Sequence, residues 1–341
     1  MTAVMAAGKK RGLQAVADKR GVIAALAIDQ RSALRELFAK AMNVAAEGVP
    51  TEKLVLYKEA VSKSLTLYAS AILLDPEYGL TAARGRAPSC GLLLAYEKTG
   101  YDISVPGRMP GLLDQWSVQK LVDEGADSIK LLLYYSSTSS AVINEKKHAF
   151  VERVGAECAS ADVPFFLELV SYAEGLEEKS AEFARIKPRV VTKGMIEFSR
   201  PQYRVDVLKV GVPVNLDFVA GSPSAGSEIV HSRSEALELY QRAAEAASIP
   251  FIYLSQGVSN ETFLFGLELA EEAGVPFSGI LCGRATWKDG VEVLVQKGPN
   301  ALEDWVLSVG AANIKRVNAQ LNAAKSWDLE PHATLESKGN P

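Results

Sequence analysis

The chain has 341 residues, about twice an average domain but within the range of one large α/β barrel with added segments. Hydrophobic residues make up 48% and charged residues 23%, which is typical of a globular protein with a large core. The net charge of −4, from 37 Lys and Arg against 41 Asp and Glu, argues against nucleic-acid or membrane-surface partners. No apolar run approaches the ~18 residues of a transmembrane helix, and the first twenty residues lack the apolar stretch of a signal peptide.

The cysteines indicate a reducing compartment. Cys90, Cys158 and Cys282 are odd in number and widely spaced, unlike a disulfide framework. Reduced thiols are typical of the cytoplasm, so we expect a cytoplasmic protein.

Short apolar runs alternate with amphipathic segments along most of the chain. The runs are rich in Val, Ile, Leu and Phe with little alternation, which is typical of strands covered on both faces of a parallel sheet. They predict strands over Val22–Ile28, Ala71–Leu74, Gly91–Ala95, Ser128–Tyr135, Pro164–Val170, Val205–Val212, Pro250–Leu254 and Phe277–Leu281. Helical spacing of apolar residues predicts helices that include Ser32–Met42, Asn144–Ser160, Ser234–Ala247 and Asn260–Ala273.

Eight buried strands that mostly alternate with helices predict a single (β/α)8 barrel. We expect one domain over residues 1–341, with an N-terminal helix, an extra helix near Ala301–Ala324, and flexible ends at about 1–10 and 329–341. The alternative is a doubly wound open sheet, but no G-x-G-x-x-G motif follows the first strand, which disfavours its dinucleotide-binding form. In barrel enzymes the chemistry takes place at the C-terminal ends of the strands, so candidate residues are sought there.

Four charged residues fall within or at the end of predicted buried strands. Asp29 closes the first strand, and Lys130, Glu168 and Lys209 lie in the fourth, fifth and sixth. Burying an unpaired charge costs several kcal/mol, so such groups occur where they are paired or where chemistry needs them. Each one alone is compatible with a structural ion pair, but four in one barrel indicate a shared site.

Two lysines with two carboxylates are typical of Schiff-base chemistry. A lysine attacks a carbonyl only as the free amine, which requires a pKa lowered from about 10.4 by burial or a nearby cation. We expect Lys130 and Lys209 to lower each other's pKa in this way. Glu168 would then move protons during carbinolamine dehydration and carbon–carbon cleavage. The pattern favours a Schiff-base lyase.

Residues after the last two strands predict an anion site. Ser255 and Gly257 follow the seventh strand, and Gly283 and Arg284 follow the eighth. Small residues expose backbone N–H groups, arginine offers a fork of donors, and barrels frequently bind phosphate at this place. Either glycine alone is compatible with an ordinary turn, but Arg284 directly after Gly283 favours an anion site.

At these residues the sequence resembles a known family, the bacterial class I tagatose 1,6-bisphosphate aldolases, which also includes aldolases for sulfofructose phosphate. The resemblance covers roughly residues 10 to 328. The chain departs from the family at its extended start, near Asn43–Pro50 and after Asp328. The matching stretches are Ile28–Arg31, Leu73–Gly79, Leu92–Tyr101, Phe165–Glu168, Asp206–Val210 and Leu281–Trp287.

This resemblance implies a (β/α)8 barrel with neither a metal nor another cofactor. It implies that Lys209 forms the Schiff base and that Glu168 is the acid/base. Arg31 is a weaker candidate for the distal anion. The other positions that match residues lining the family's active site are Asp29, Gln30, Lys130, Ser255, Gly257, Gly283 and Arg284.

The reaction implied is cleavage of a ketose 1,6-bisphosphate, foremost D-tagatose 1,6-bisphosphate, and the preference over fructose 1,6-bisphosphate, which differs only at C4, stays open. Lys209 would condense with C2, and the C3–C4 bond would break to give glyceraldehyde 3-phosphate and dihydroxyacetone phosphate. Which carboxylate moves which proton stays open, and Asp29 is expected to orient Lys209 or a substrate hydroxyl. We also expect a homo-oligomer, since barrel enzymes commonly self-associate.

Other functions remain open at this point. One alternative is a sulfofructose 1-phosphate aldolase that yields dihydroxyacetone phosphate and sulfolactaldehyde. A catalytically silent sugar-phosphate sensor on the same barrel, or another phosphosugar enzyme such as an isomerase, is also compatible. A metal-dependent aldolase commonly needs clustered histidines, whereas His148, His231 and His332 are far apart in the sequence.

Overall fold

Eight parallel strands close into a barrel in the computed structural model, which describes residues 5–102 and 104–328. Each strand pairs with the next along the chain, and the last pairs with the first. The predicted (β/α)8 barrel is therefore confirmed, and the open-sheet alternative is wrong. The strands are β1 (Ile23–Ala27), β2 (Ala71–Leu74), β3 (Gly91–Ala95), β4 (Ser128–Tyr135), β5 (Phe165–Ser171), β6 (Val207–Gly211), β7 (Phe251–Leu254) and β8 (Gly279–Cys282).

Helices surround the barrel and cover its N-terminal end. None of those in the described residues is long and apolar enough to cross a membrane. The extra helix predicted near Ala301–Ala324 consists of shorter pieces, with a π-helical turn at Val306–Gly310 between the last two helices. The helices are α1 (Ala7–Val16), α2 (Ser32–Met42), α3 (Thr51–Leu65), α4 (Leu80–Arg84), α5 (Val118–Asp123), α6 (Ala141–Ser160), α7 (Ala181–Phe198), α8 (Arg233–Glu245), α9 (Asn260–Glu272), α10 (Arg284–Trp287), α11 (Gly290–Lys297), α12 (Pro299–Trp305) and α13 (Ala311–Ala319).

The predicted strand bounds match or differ by one or two residues from those observed. The largest shifts, of two residues, are at the starts of β6 and β8, and β8 begins at Gly279 rather than at Phe277. Gly279 has φ +135°, and a Cβ there would lie 2.0 Å from the Ile23 carbonyl oxygen. Only glycine allows this close approach of β8 to β1, so the strand begins where the glycine stands.

The two ends of the chain differ in what the structure describes. Residues 7–10, part of the predicted flexible start, belong to α1, where Lys9 Nζ lies 2.7 Å from Asp206 Oδ2. Leu13 and Val16 of the same helix pack into the barrel interior and cover its N-terminal end. The predicted flexible tail, residues 329–341, lies outside the described residues.

The barrel interior is apolar toward the N-terminal ends of the strands and charged at their C-terminal ends. Side chains alternate between the two faces of a strand, and the inward-facing residues of the apolar part include Ala27, Phe166 and Val207. Two residues further along their strands, the next inward positions are Asp29, Glu168 and Lys209. The fold thus brings the charged residues together at the C-terminal end, where barrel enzymes carry their chemistry.

Candidate active site

Lys209 and Glu168 form the centre of the charged layer. They are register partners on β6 and β5, and Lys209 Nζ lies 2.7 Å from Glu168 Oε2. Both side chains are nearly enclosed, with residue exposures of 3% for Lys209 and 7% for Glu168. A carboxylate at this distance can accept a proton from the ammonium group and return it.

Lys130 is held by three carboxylates. Its Nζ lies 2.8 Å from Asp29 Oδ2, 2.6 Å from Glu97 Oε1 and 2.9 Å from Glu168 Oε2. Its side chain is fully buried. The structure therefore brings together all four charged residues that the sequence singled out, with Glu168 bridging the two lysines.

This network sets the charge states of its members. Burial alone would lower the pKa of Lys130, but Asp29, Glu168 and Glu97 raise it well above its usual value. Burial raises the pKa of Asp29 and Glu168, yet the cations of Lys130 and Lys209 outweigh it and hold both values below the usual range. The prediction that Lys130 is a lysine of lowered pKa is wrong, because three anions surround it.

Glu97 belongs to the same cluster, and the sequence analysis missed it. Besides its contact with Lys130, its Oε2 accepts a hydrogen bond of 3.1 Å from the Leu132 N–H on β4. Glu97 stands two residues beyond β3, as Asp29 stands two residues beyond β1. That matching position at a strand end is the signal that could have identified it.

A second buried ion pair, Lys58 with Asp75, supports the loop that carries Asp29. Lys58 reaches from α3, and both side chains are fully enclosed. The Lys58 ammonium also donates to the backbone carbonyls of Ile28 at 2.6 Å and Gln30 at 3.0 Å. It thereby fixes the backbone on both sides of Asp29. Asp75 directly follows β2, but nothing local in the sequence marked Lys58, which lies on an ordinary amphipathic helix.

Gln30 and Arg31 lie beside this cluster but in different surroundings. The Oε1 atom of Gln30 is buried with no hydrogen-bond partner among the described residues. Arg31 is already paired, since Nη1 lies 2.6 Å from Glu77 Oε2 and Nη2 donates to the Glu97 carbonyl at 2.7 Å. Gln30 therefore has an unused acceptor for a ligand, whereas Arg31 would have to exchange Glu77 for one.

The four predicted anion-site residues follow β7 and β8, as expected. Gly257 has φ +77°, and a Cβ at this position would lie 2.6 Å from the Arg284 Cζ atom. The guanidinium thus packs directly against the backbone of the turn that contains Ser255. Gly283 lies beside the end of β1, where a Cβ would lie 3.2 Å from the Ala27 carbonyl oxygen.

Arg284 carries a charge that the described residues leave unpaired. It is half-buried, and it is absent from the arginine ion pairs found in residues 5–102 and 104–328. A half-buried guanidinium without a carboxylate partner among the described residues is suited to bind phosphate or sulfonate. This arrangement distinguishes Arg284 from Arg31.

Aromatic side chains line one rim of the barrel mouth above β4 and β5. The rings of Tyr101 and Tyr134 meet edge-on with centroids 4.8 Å apart. The Arg108 guanidinium lies 5.0 Å from the Tyr134 centroid and 4.6 Å from that of Tyr172, and it pairs with Glu178 at 2.7 Å. These contacts fold the segment after β3 over this rim.

The histidines lie away from the charged cluster in the described part of the chain. His148 on α6 contacts the rings of Tyr135, Phe198 and Tyr203 on the outer side of the sheet. His231 Nε2 lies 3.2 Å from the Ala184 carbonyl. His332 is outside the described residues. The two described histidines therefore have structural surroundings.

Comparison with known proteins identifies relatives over nearly the whole chain. The family model for DeoC/LacD family aldolases matches residues 23–289. Tagatose 1,6-diphosphate aldolase 2 of Enterococcus faecalis is 51% identical over 326 residues, which are 95% of this chain and 96% of the relative. Tagatose 1,6-diphosphate aldolase of Staphylococcus epidermidis is 44% identical over 94% of this chain and 97% of the relative.

A solved structure shares the fold. A Schiff-base-forming fructose-1,6-bisphosphate aldolase matches with a TM-score of 0.52 and 15% sequence identity. The match covers 88% of this chain and 98% of the chain of that aldolase. The family resemblance predicted from the sequence is confirmed by the sequence relatives. The chain therefore belongs to the DeoC/LacD family of aldolases.

Proposed function

We propose that the chain cleaves D-tagatose 1,6-bisphosphate to dihydroxyacetone phosphate and glyceraldehyde 3-phosphate through a Schiff base on Lys209. The observation that carries this proposal is the Lys209–Glu168 pair, 2.7 Å apart at the C-terminal end of the barrel. The substrate is proposed from the tagatose 1,6-diphosphate aldolases that are 44–51% identical to this chain. Those relatives favour this substrate over a sulfofructose phosphate and favour an enzyme over a silent sensor.

The surroundings of the two lysines favour Lys209 as the nucleophile. Lys130 is bound by three carboxylates and is fully buried, so its nitrogen stays protonated and has no lone pair for attack on a carbonyl. Lys209 has one carboxylate partner among the described residues, Glu168, and retains slight exposure. Giving its proton to Glu168 would produce the free amine that attack on a carbonyl requires.

The reaction then follows from this pair. The Lys209 amine adds to C2 of the ketose, and the carbinolamine loses its hydroxyl as water when Glu168 returns a proton. The resulting iminium accepts the electron pair of the C3–C4 bond as a carboxylate removes the proton of the C4 hydroxyl. Glyceraldehyde 3-phosphate leaves, and the enamine gains a proton at C3. Water then hydrolyses the iminium, which releases dihydroxyacetone phosphate and restores Lys209.

Asp29 and the charged cluster around Lys130 support the reaction without forming a covalent bond to the substrate. Asp29 Oδ1 is buried without a hydrogen-bond partner among the described residues, which leaves an acceptor for a substrate hydroxyl. The three carboxylates of Asp29, Glu97 and Glu168 against two lysines leave the cluster with one excess negative charge. That excess stabilises a cationic iminium on Lys209.

Arg284 is proposed to bind the C1 phosphate, with Ser255, Gly257 and Gly283 supplying small residues around it. Its charge is unpaired among the described residues, and the C1–C3 portion of the substrate stays attached to Lys209 until the last step. Arg31 remains the proposal for the distal anion, where the substrate would replace Glu77, whose side chain is 38% exposed. Gln30 would contact the substrate between these two ends.

The test combines a cleavage assay with covalent trapping. We expect cleavage of tagatose 1,6-bisphosphate at a higher kcat/KM than sulfofructose 1-phosphate, and full activity after exhaustive chelation. Borohydride with dihydroxyacetone phosphate should place a reduced adduct on the peptide that contains Lys209. An adduct on Lys130 alone would overturn the assignment of the nucleophile. Loss of activity on chelation, restored by zinc, would favour a metal-dependent aldolase.

A cytoplasmic location and self-association complete the proposal. Cys90, Cys158 and Cys282 are all buried and unbonded, which suits a reducing compartment. Light scattering after size-exclusion chromatography measures the oligomeric state, and a mass of one chain would contradict the predicted homo-oligomer. The location is tested by fractionating cells that express the tagged chain.

A further inference from the structure

Lys187 is a buried lysine that the mechanism above does not use. It lies on α7 and is only 5% exposed. Its Nζ donates to the Val214 carbonyl at 2.9 Å and to Gln256 Oε1 at 3.0 Å. Val214 follows β6 and Gln256 follows β7, so one ammonium group joins α7 to two loops at the barrel mouth. An ammonium group is costly to bury, and this one donates its hydrogen bonds to residues of the two loops.

The turn that Lys187 contacts has an unusual backbone. Gln256 has φ +50° and Gly257 has φ +77°, so both residues are in the left-handed region. Glycine adopts this region freely, but for glutamine it is strained and must be maintained by surrounding contacts. The hydrogen bond from Lys187 to the Gln256 side chain is such a contact.

The Gln256 side chain also packs over the strand that carries Lys209. A Cβ at Gly211 would lie 2.6 Å from the Gln256 Cδ atom, so only glycine at 211 leaves room for the amide. Gly211 is two residues beyond Lys209 on β6. The Gln256 amide therefore contacts Gly211 on one side and the Lys187 ammonium on another, while the residue as a whole is exposed.

The same turn determines where Arg284 lies. The Gly257 backbone is so close to the guanidinium that a Cβ there would lie 2.6 Å from both Cζ and Nη2 of Arg284. A change in the backbone at 256–257 would therefore move the surface against which Arg284 packs. The contacts form a continuous path from Lys187 through Gln256 and Gly257 to Arg284.

We propose that Lys187 is a positioning residue for the anion site. Its ammonium holds Gln256, Gln256 holds the left-handed turn, and the turn sets the position of Arg284 and of its own backbone toward the C1 phosphate. This inference rests on the proposed function, in which Arg284 binds that phosphate. A lysine with a purely structural role would affect the stability of the fold but leave the affinity for phosphate unchanged.

The experiment measures the affinity for inorganic phosphate by titration calorimetry, which does not require turnover. We expect Lys187→Met and Gln256→Ala each to raise the Kd by about 5- to 30-fold, the effect of losing one or two hydrogen bonds. The Kd of the double variant should be at most twofold higher than that of the weaker-binding single variant, since both residues act through one path. Lys193→Met, an exposed position on the same helix, removes the same charge and should leave the Kd unchanged.

Steady-state kinetics supply a second measurement. With the bisphosphate substrate, Lys187→Met and Gln256→Ala should raise KM and leave kcat within about twofold, because neither residue touches Lys209. Gln256 is exposed, so Gln256→Ala should fold even if Lys187→Met does not.

Arg284→Ala serves as the reference variant. If it weakens phosphate binding while folded Lys187→Met or Gln256→Ala retains the wild-type Kd, this inference is overturned and the anion site stands. Additive losses in the double variant would overturn it as well. If Arg284→Ala itself binds phosphate as the wild type does, the proposed anion site fails, and the inference fails with it.

Discussion

Glu168 and Lys209 are register partners on adjacent strands, with Oε2 of one 2.7 Å from Nζ of the other. The same Oε2 lies 2.9 Å from Lys130 Nζ. Glu168 therefore has two cationic neighbours: Lys209, whose charge changes in the proposed reaction, and Lys130, whose charge does not. When the Lys209 nitrogen becomes a neutral carbinolamine, Glu168 loses one of the two cations that hold its pKa low and gains affinity for a proton. The pair thus couples proton transfer to each step at the lysine.

Replacing Glu168 by glutamine tests this coupling. The amide keeps the shape of the side chain and removes its titrating proton, so Glu168→Gln should lower kcat by about 10²–10⁴. Stopped-flow single-turnover measurements on folded protein isolate the chemical step. If kcat stays within a factor of two of the wild type while chemistry is limiting, Glu168 is structural and Asp29 becomes the better candidate.

Removing Lys130 should destabilise the fold severely. Lys130→Met leaves Asp29, Glu97 and Glu168 buried without their shared cation, which should cost about 3–5 kcal/mol in the free energy of unfolding. Urea denaturation followed by circular dichroism measures this loss. Lys63→Met is the matched control, because Lys63 makes only an exposed 3.5 Å pair with Glu303 and should cost less than about 1 kcal/mol. Equal stabilities for the two variants would contradict the three-carboxylate network.

Arg284 should control affinity for one end of the substrate. Charge-assisted hydrogen bonds contribute about 1.5–3 kcal/mol, so Arg284→Ala should lower kcat/KM by about 10- to 150-fold. Lysine should restore only part of the activity, since it keeps the charge but lacks the planar fork. The loss should shrink for a ketose without the C1 phosphate and persist for one without the C6 phosphate. Equal losses for both truncated substrates and the bisphosphate would mean that Arg284 acts on the fold instead.

Acid should weaken the fold through the charged cluster. The folded chain lowers the pKa of Asp29 and Glu168, so they contribute stability above their usual pKa of about 4 and lose it as the pH falls through their folded values. Lys130, whose pKa is raised, contributes stability that is full below its usual value of about 10.4 and is lost only at higher pH. The cluster should therefore contribute a plateau between about pH 5 and 9.

The plateau is measured by urea midpoints at a series of pH values. Asp29→Asn removes one group whose pKa is lowered, so its stability should fall less steeply below about pH 4 than that of the wild type. An acid limb of unchanged slope in Asp29→Asn would show that Asp29 contributes nothing to it.

The sequence by itself determined the barrel and most of the charged layer. The strands of the barrel face the packed interior on one side and the surrounding helices on the other. They therefore appear as continuous apolar runs that a local pattern can identify. A charged residue such as Lys209 or Glu168 inside such a run is conspicuous because burying it is costly. The same reasoning would have reached Glu97, had strand ends been searched two residues further along the chain.

Only the tertiary structure decided what each charged side chain contacts. Two lysines in apolar strands look alike in sequence, but closure of the barrel places Lys130 among three carboxylates and Lys209 beside one. Lys58 and Lys187 reach the site from helices, where a lysine is ordinary and gives no local signal. Their roles depend on contacts between residues far apart in the chain, such as the 3.0 Å hydrogen bond between Lys187 and Gln256. Periodicity reports which face of an element is buried, but the partner of a buried charge is set by how the elements pack.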